Sequence, residues 1–192
     1  MSELMLMVGI PGSGKSTYIK ELADKGYDVV NPDSIRVELT GNMADQSQNA
    51  KVWFTAHQRI IDKLKEGKNV ILDATNVDRR GRREIVDRAK REVPGTTVKA
   101  LVLDVSLETA KERVKKRVKD KGLDIPEEVM TRMYNKFKLN PPSTDEGIDE
   151  IEVIPETGKK VTEDLTSIAN KLEDLGEYKE ADVVDEMMKK IY

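Results

Sequence analysis

The sequence contains no cysteine. Disulfides and thiolate metal sites are thereby excluded. A single histidine argues against a zinc site. Aromatic residues make up only 4% of the chain against 36% charged residues, which describes a small domain with a heavily solvated surface. No apolar run approaches the ~20 residues that a bilayer-spanning helix needs. The first residues lack the basic start and long apolar stretch of a secretory signal. The expectation from these absences is a soluble, cytoplasmic protein with no membrane partner. Against them stand 192 residues with 38% hydrophobic content, enough for one buried core and a small appendage.

The net charge of −3 conceals an asymmetry. Residues 145–192 carry roughly −9, so the first 144 carry roughly +6. Positive charge concentrates in two segments, Arg79 to Arg91 and Lys111 to Lys121, each about +5. Taken alone, such runs describe solvated helix faces. Beside a phosphate site they describe anion binding.

Apolar strands alternate with helical patterns along the chain. Leu4 to Ile10, Tyr27 to Asn31, Asn69 to Ala74, Thr97 to Val105 and Glu150 to Ile154 read as strands. Helices are expected over Lys15 to Lys25, Ser34 to Leu39, Gln48 to Glu66 and Asp78 to Val93, then from a cap at Ser106, and from Pro126 to Lys138. In the Gln48–Glu66 helix, Ala50, Trp53, Phe54, His57, Ile60, Ile61 and Leu64 form the expected apolar stripe. His57 reads as a packed, hydrogen-bonded core residue, and the methionines of "LMLMV" as strand core. Strand–helix alternation implies an α/β fold, a parallel sheet with helices on both faces. Ligands in such sheets bind beyond the carboxyl ends of the strands. The last 36 residues carry two apolar stripes separated by a turn at Gly176. They are expected to form an acidic helical hairpin that packs on the main domain, or docks to a partner or a second copy of the chain.

"GIPGSGKST", residues 9–17, follows the first strand. Gly9, Gly14, Lys15 and Ser16 complete the pattern G-x-x-x-x-G-K-[ST]. Glycines let the backbone turn tightly enough to aim successive N–H groups at phosphate oxygens. The helix that starts near Lys15 adds its positive dipole end. Gly12, Ser13, Gly14, Lys15, Ser16 and Thr17 are therefore the expected nucleotide cradle. The Lys15 ammonium reaches the β- and γ-phosphates and the Ser16 hydroxyl ligates Mg²⁺. The expected cofactors are ATP and Mg²⁺.

Three later stretches bear on what the triphosphate is used for. "NPDSIR" places Asp33 and Arg36 just beyond the second strand. Asp33 is either a helix cap or a base for an acceptor hydroxyl, and Arg36 either a surface charge or a cation for the acceptor's own anion. "VILDATNVDRRGRR" ends its strand at Asp73, the preferred Mg²⁺-associated carboxylate, with Asp104 after "ALVL" as its competitor. Thr75 and Asn76 are candidate contacts to acceptor or nucleotide, and Arg79, Arg80, Arg82 and Arg83 candidate grips on a phosphodiester backbone. Arg113 and Arg117 stand four apart on one helix face, where they can close over transferring phosphates and exclude water.

The ordered set "GIPGSGKST", "NPDSIR", "DATN" followed by arginines, R-x-x-x-R, "IPEEVMTRMYNKF" and "DEGIDEIEVI" resembles a polynucleotide 5′-kinase domain of the bacteriophage and bacterial end-healing type, from about Leu4 to Ile154. The resemblance implies a three-layer P-loop NTPase fold with a parallel sheet of five strands. It implies a kinase domain over residues 1–156 with a helical lid near 106–138, followed by the hairpin at 157–192. It further implies transfer of the γ-phosphoryl of ATP to a 5′-hydroxyl of DNA or RNA. Asp33 matches the family's general base and Arg36 the arginine at the transferring or acceptor phosphate. Arg113 and Arg117 match the lid arginines. Pro32 departs from relatives that carry a polar or basic residue before the base. The D-x-D-x-[TV] motif of the phosphatase module that often accompanies such kinases does not occur in this sequence, so a kinase without a phosphatase is expected. Two rival readings remain at this stage: a P-loop kinase of a small metabolite, nucleoside or antibiotic, and a nucleotide-dependent adaptor that recruits a partner through its acidic hairpin.

Overall fold

In a computed structural model, residues 2–121 and 125–156 are described, together with residues 170, 172, 182 and 183. The chain divides into two compact units, Met1–Ile154 and Pro155–Tyr192. The expected helical hairpin lies almost wholly outside the described residues. Among the described residues, no helix is long and apolar enough to cross a membrane.

The first unit alternates as its sequence pattern requires: β1 (Glu3–Val8), α1 (Lys15–Asp24), β2 (Asp28–Val30), α2 (Pro32–Thr40), α3 (Asn49–Lys65), β3 (Val70–Leu72), α4 (Arg79–Glu92), β4 (Thr97–Asp104), α5 (Leu107–Lys121), α6 (Glu127–Leu139) and β5 (Glu150–Pro155). The five strands form one sheet in the order β2-β3-β1-β4-β5. β1 is its centre, paired in parallel with β3 through Leu4↔Val70 and with β4 through Leu4↔Val98. β2 pairs in parallel with β3 on the outer side. The α/β, five-stranded fold expected from the sequence is thus the one observed. A 3-10 turn at Thr144–Glu146, unexpected from the sequence, breaks the loop before β5.

A strand buried on both faces must be apolar at consecutive positions, and β1 shows why. Leu4, Leu6 and Val8 point into a large core with Ile35 of α2, Val52 and Ile60 of α3, Ile85 of α4 and Val114 of α5. Met5 and Met7 point the opposite way, into a smaller cluster with Ile19 of α1, Ile71 and Leu103. Both methionines are core, as expected. Helix boundaries follow local chemistry. The Asn31 side chain accepts the Ser34 amide at 2.9 Å and caps α2, with Pro32 in its first turn. The Ser106 hydroxyl accepts the Thr109 amide at 3.2 Å at the start of α5.

Candidate active site

The glycine loop joins the carboxyl end of the central strand to α1, so its contents sit where ligands of such sheets bind. Gly12 has φ 83° and Gly14, which precedes the first turn of α1, has φ 99°. Both angles lie in the region that favours glycine. At Gly12 the space is as restrictive as the angle: a Cβ there would lie 2.4 Å from the Ala110 carbonyl oxygen of α5. The loop's turns are closed by the Ser13 amide donating to the Ile10 carbonyl at 3.2 Å and the Thr17 amide to the Gly14 carbonyl at 3.1 Å. Ser13 is buried, whereas Ser16 and Thr17 are exposed at the mouth of α1.

The Lys15 ammonium donates to the Gly9 carbonyl at 2.7 Å and the Ile10 carbonyl at 3.0 Å. Desolvation brings its pKa down to about 8 from the usual 10.5; the carboxylate of Asp73 opposes the fall and the guanidinium of Arg117 adds to it. Those two charges locate their owners. Asp73, just past β3, and Arg117 of α5 both lie within electrostatic reach of the lysine. Arg113 is placed differently: its guanidinium reaches back to the Gly12 and Ser13 carbonyls at 3.4 and 3.5 Å. The competitor Asp104 accepts a bond from Lys138 of α6 at 2.6 Å.

The other side of the site is built from side chains. Asn31, beyond capping α2, donates its amide to Asp73 at 2.7 Å, tying the start of α2 to the end of β3. Because Asn31 is the cap, Asp33 is not; its carboxylate is 58% exposed and pairs with Arg36 one turn along. Arg36 is a different environment altogether, its side chain only 7% exposed. One of its terminal nitrogens donates to the Asn49 side chain of α3 at 3.1 Å, and its buried Nε has no partner among the described residues. A buried guanidinium N–H without a partner is costly in a protein interior, and an anion at this position would satisfy it.

One expectation for the segment after β3 requires correction. Arg82 does not grip a ligand. Its side chain is fully buried, its Nε and one terminal nitrogen donate to Glu146 at 2.8 and 2.7 Å, and the remaining donors go to the Asn76 and Asn140 carbonyls. The Asn76 amide is likewise spent internally, on the Met7 carbonyl at 2.8 Å, with the residue itself at φ 46°. Arg79 pairs with Asp145, while Arg80 and Arg83 stay exposed and border an open groove with Asp78, Glu84 and Asn140. His57 is buried as expected, its ring edge-on to Trp53 with centroids 5.9 Å apart. Its nearest carboxylate, Glu84, is 3.8 Å away, and burial holds its pKa below the usual value.

A glycine loop between the central strand and α1, a lysine folded onto it, a carboxylate at the neighbouring strand end and a helical pair carrying arginines define a P-loop kinase-type domain. The family model of the AAA domain AAA_33 matches residues 4–140, and the chain belongs to that family. It is 35% identical over 155 residues to an Autographa californica nuclear polyhedrosis virus protein named as a bifunctional polynucleotide kinase/RNA ligase. That match takes in 72% of this chain but only 21% of the viral protein. The L-seryl-tRNA(Sec) kinase of Methanococcus maripaludis is 26% identical over 202 residues, covering 97% of this chain and 71% of the relative. Among solved structures, a chain of the Pnkp1/Rnl/Hen1 RNA repair complex superposes with a TM-score of 0.63 at 26% identity, covering 77% of this chain and 46% of that one. The polynucleotide-kinase-type domain expected from the motifs is therefore supported by family, sequence and fold, with the chain spanning less than half of both the viral protein and the repair-complex chain.

Proposed function

We propose that this domain transfers the γ-phosphoryl group of ATP to the 5′-hydroxyl at the end of a DNA or RNA strand. The observation that carries the reading is the chain of contacts from Asp73 through Asn31 to the α2 turn that presents Asp33 and the half-satisfied Arg36. An acceptor that brings its own phosphate suits that guanidinium, and the hydroxyl to be phosphorylated suits the exposed carboxylate beside it. Arg80 and Arg83, exposed at the start of α4, suit an acceptor with further phosphates.

Gly12, Ser13, Gly14, Lys15, Ser16 and Thr17 hold the donor's phosphates, with the lysine leaving its loop carbonyls to take them. The donor set fits Mg²⁺: Ser16 offers an exposed hydroxyl, Asp73 a carboxylate beside the lysine, and the described residues hold no cluster of three acidic or imidazole side chains that could cage a metal on their own. Such a site suits an ion that keeps waters and phosphate oxygens in its shell. Ser16 and Asp73 would hold the ion, whose contribution would be to neutralise phosphate charge. Asp33 accepts the proton of the attacking hydroxyl, which approaches the γ-phosphorus in line with the departing diphosphate. Arg117, already near Lys15, neutralises charge on the transferring group. Arg113 steadies the loop from outside.

A second acceptor class is suggested by the match to the seryl-tRNA kinase, which covers 71% of that relative: a hydroxyl on an amino acid carried by tRNA. The deciding experiment offers γ-labelled ATP together with a 5′-hydroxyl oligonucleotide, a seryl-tRNA and a panel of small alcohols. Label on the oligonucleotide 5′ end is expected. Label on the seryl-tRNA or a small alcohol alone would overturn the assignment.

A further inference from the structure

The α3 stripe read from the sequence contains two residues that the fold leaves exposed, Ala50 at the helix start and Phe54. Val52 and Ala56 are wholly inside, but Phe54, between them, is 65% exposed. It stands at the wall of a cavity of about 490 Å³ between α3 and α4. Trp53, His57, Glu84 and Arg88 also line that cavity. The Arg88 guanidinium lies 6.0 Å from the Phe54 ring centroid. An exposed phenylalanine flanked by a tryptophan, with a cation over one ring, is a poor arrangement for a solvated surface and a good one for a flat, polar-edged aromatic ligand.

The position of the cavity says which ligand. One end is lined by Ala50, and the preceding residue, Asn49, receives the bond from Arg36. Another wall is Thr75 and Asn76, two and three residues past Asp73. From Asn49 to Trp53 is one turn of α3, about 6 Å along the axis, so the cavity opens within about one turn of the residue that holds Arg36. Asp78 and Glu84 line both this cavity and the open groove that holds Arg80 and Arg83. A strand whose end lies at Asp33 thus has a place for its first base and, beyond it, cations for its backbone.

We infer that the α3–α4 cavity is a nucleobase subsite in which the base of the acceptor's terminal nucleotide stacks on Phe54 beside Trp53. The inference rests on the proposal that the acceptor is a polynucleotide. The stacking face is indifferent to base identity. Glu84, at the rim, offers an acceptor to the edge of whichever base enters, while Arg88 is anchored by Glu92 and Gln58 at 2.8 and 2.6 Å.

The chain's single tryptophan makes the test direct, because Trp53 sits in the cavity wall and its emission reports a stacked base without any turnover. Addition of a 5′-hydroxyl oligonucleotide is expected to quench it; an otherwise identical oligonucleotide with an abasic terminal nucleotide is expected to leave it unchanged. Phe54→Ala is expected to raise KM for the oligonucleotide about tenfold with kcat held within about twofold, and Phe54→Tyr to restore it. An unchanged KM in Phe54→Ala, or equal quenching by intact and abasic strands, would overturn the subsite while leaving the kinase assignment standing. If the parent protein phosphorylates no oligonucleotide, the assignment fails instead, and quenching by the intact strand alone still decides whether the cavity takes a base.

Discussion

The glycine loop takes its shape from the backbone of one continuous stretch, residues 9–17, whereas the Asp33–Arg36 side depends on side chains from α2, α3 and the end of β3. The first kind of construction is sensitive at its glycines and at the two side chains that face the phosphates, Lys15 and Ser16. The second fails wherever one partner is lost. On the proposed function, the contrast also separates tasks: the backbone cradle recognises phosphate, common to every nucleotide, and the side-chain assembly selects what receives it.

Breaking the side-chain half should have the largest consequence. Asp33→Ala is expected to lower transfer by about 10²- to 10⁴-fold with ATP affinity preserved, because Asp33 contacts none of the loop residues through a described hydrogen bond. Single-turnover kinetics alongside nucleotide titration measures the two quantities; equal turnover in variant and parent would remove Asp33 from the chemistry.

Next in size is the scaffold that both halves share. Arg82→Ala leaves the fully buried Glu146 carboxylate without its bidentate partner and frees the Asn76 and Asn140 carbonyls. Loss of one member of a buried pair costs about 3–5 kcal/mol, to be read as a shift in the denaturant midpoint. Arg80→Ala, at an exposed position on the same helix, is expected to change stability by no more than about 0.5 kcal/mol.

The smallest effect sharpens the backbone half. Lys15 titrates at about 8 in the folded protein, below its ordinary 10.5. The folded state therefore disfavours the charged form: its stability penalty is present in full below about pH 8 and is relieved as pH rises from there toward 10.5. Phosphate reverses the preference, so ATP binding at about pH 9 should draw up to about one proton, and binding at about pH 7 almost none. Calorimetry in buffers of different ionisation enthalpy checks this, and equal uptake at both pH values would contradict it.

The difference in construction also governs what could be read from the sequence. The loop was legible because its residues are neighbours and each type has one physical reason to be there. Asp33 and Arg36 were legible as candidates, but not that Asn31 would cap α2 and leave Asp33 exposed, since both side chains are good caps. Arg82 looked like its arginine neighbours because its carboxylate partner lies 64 positions away. Helical periodicity assigned Phe54 to the buried stripe; it sits at the stripe's margin, where about one residue's rotation decides between core and cavity. Strand order, which needs pairing partners rather than patterns, was likewise beyond the sequence.

The 2.4 Å that a Cβ at position 12 would leave to the Ala110 carbonyl has a mechanical meaning. Main chain of the nucleotide cradle abuts main chain of the first turn of α5, with no side chain between them to act as a cushion. Enlarging residue 12 would jack the arginine-bearing helix outward, so the stance of Arg113 and Arg117 is set in part by the smallest residue in the molecule.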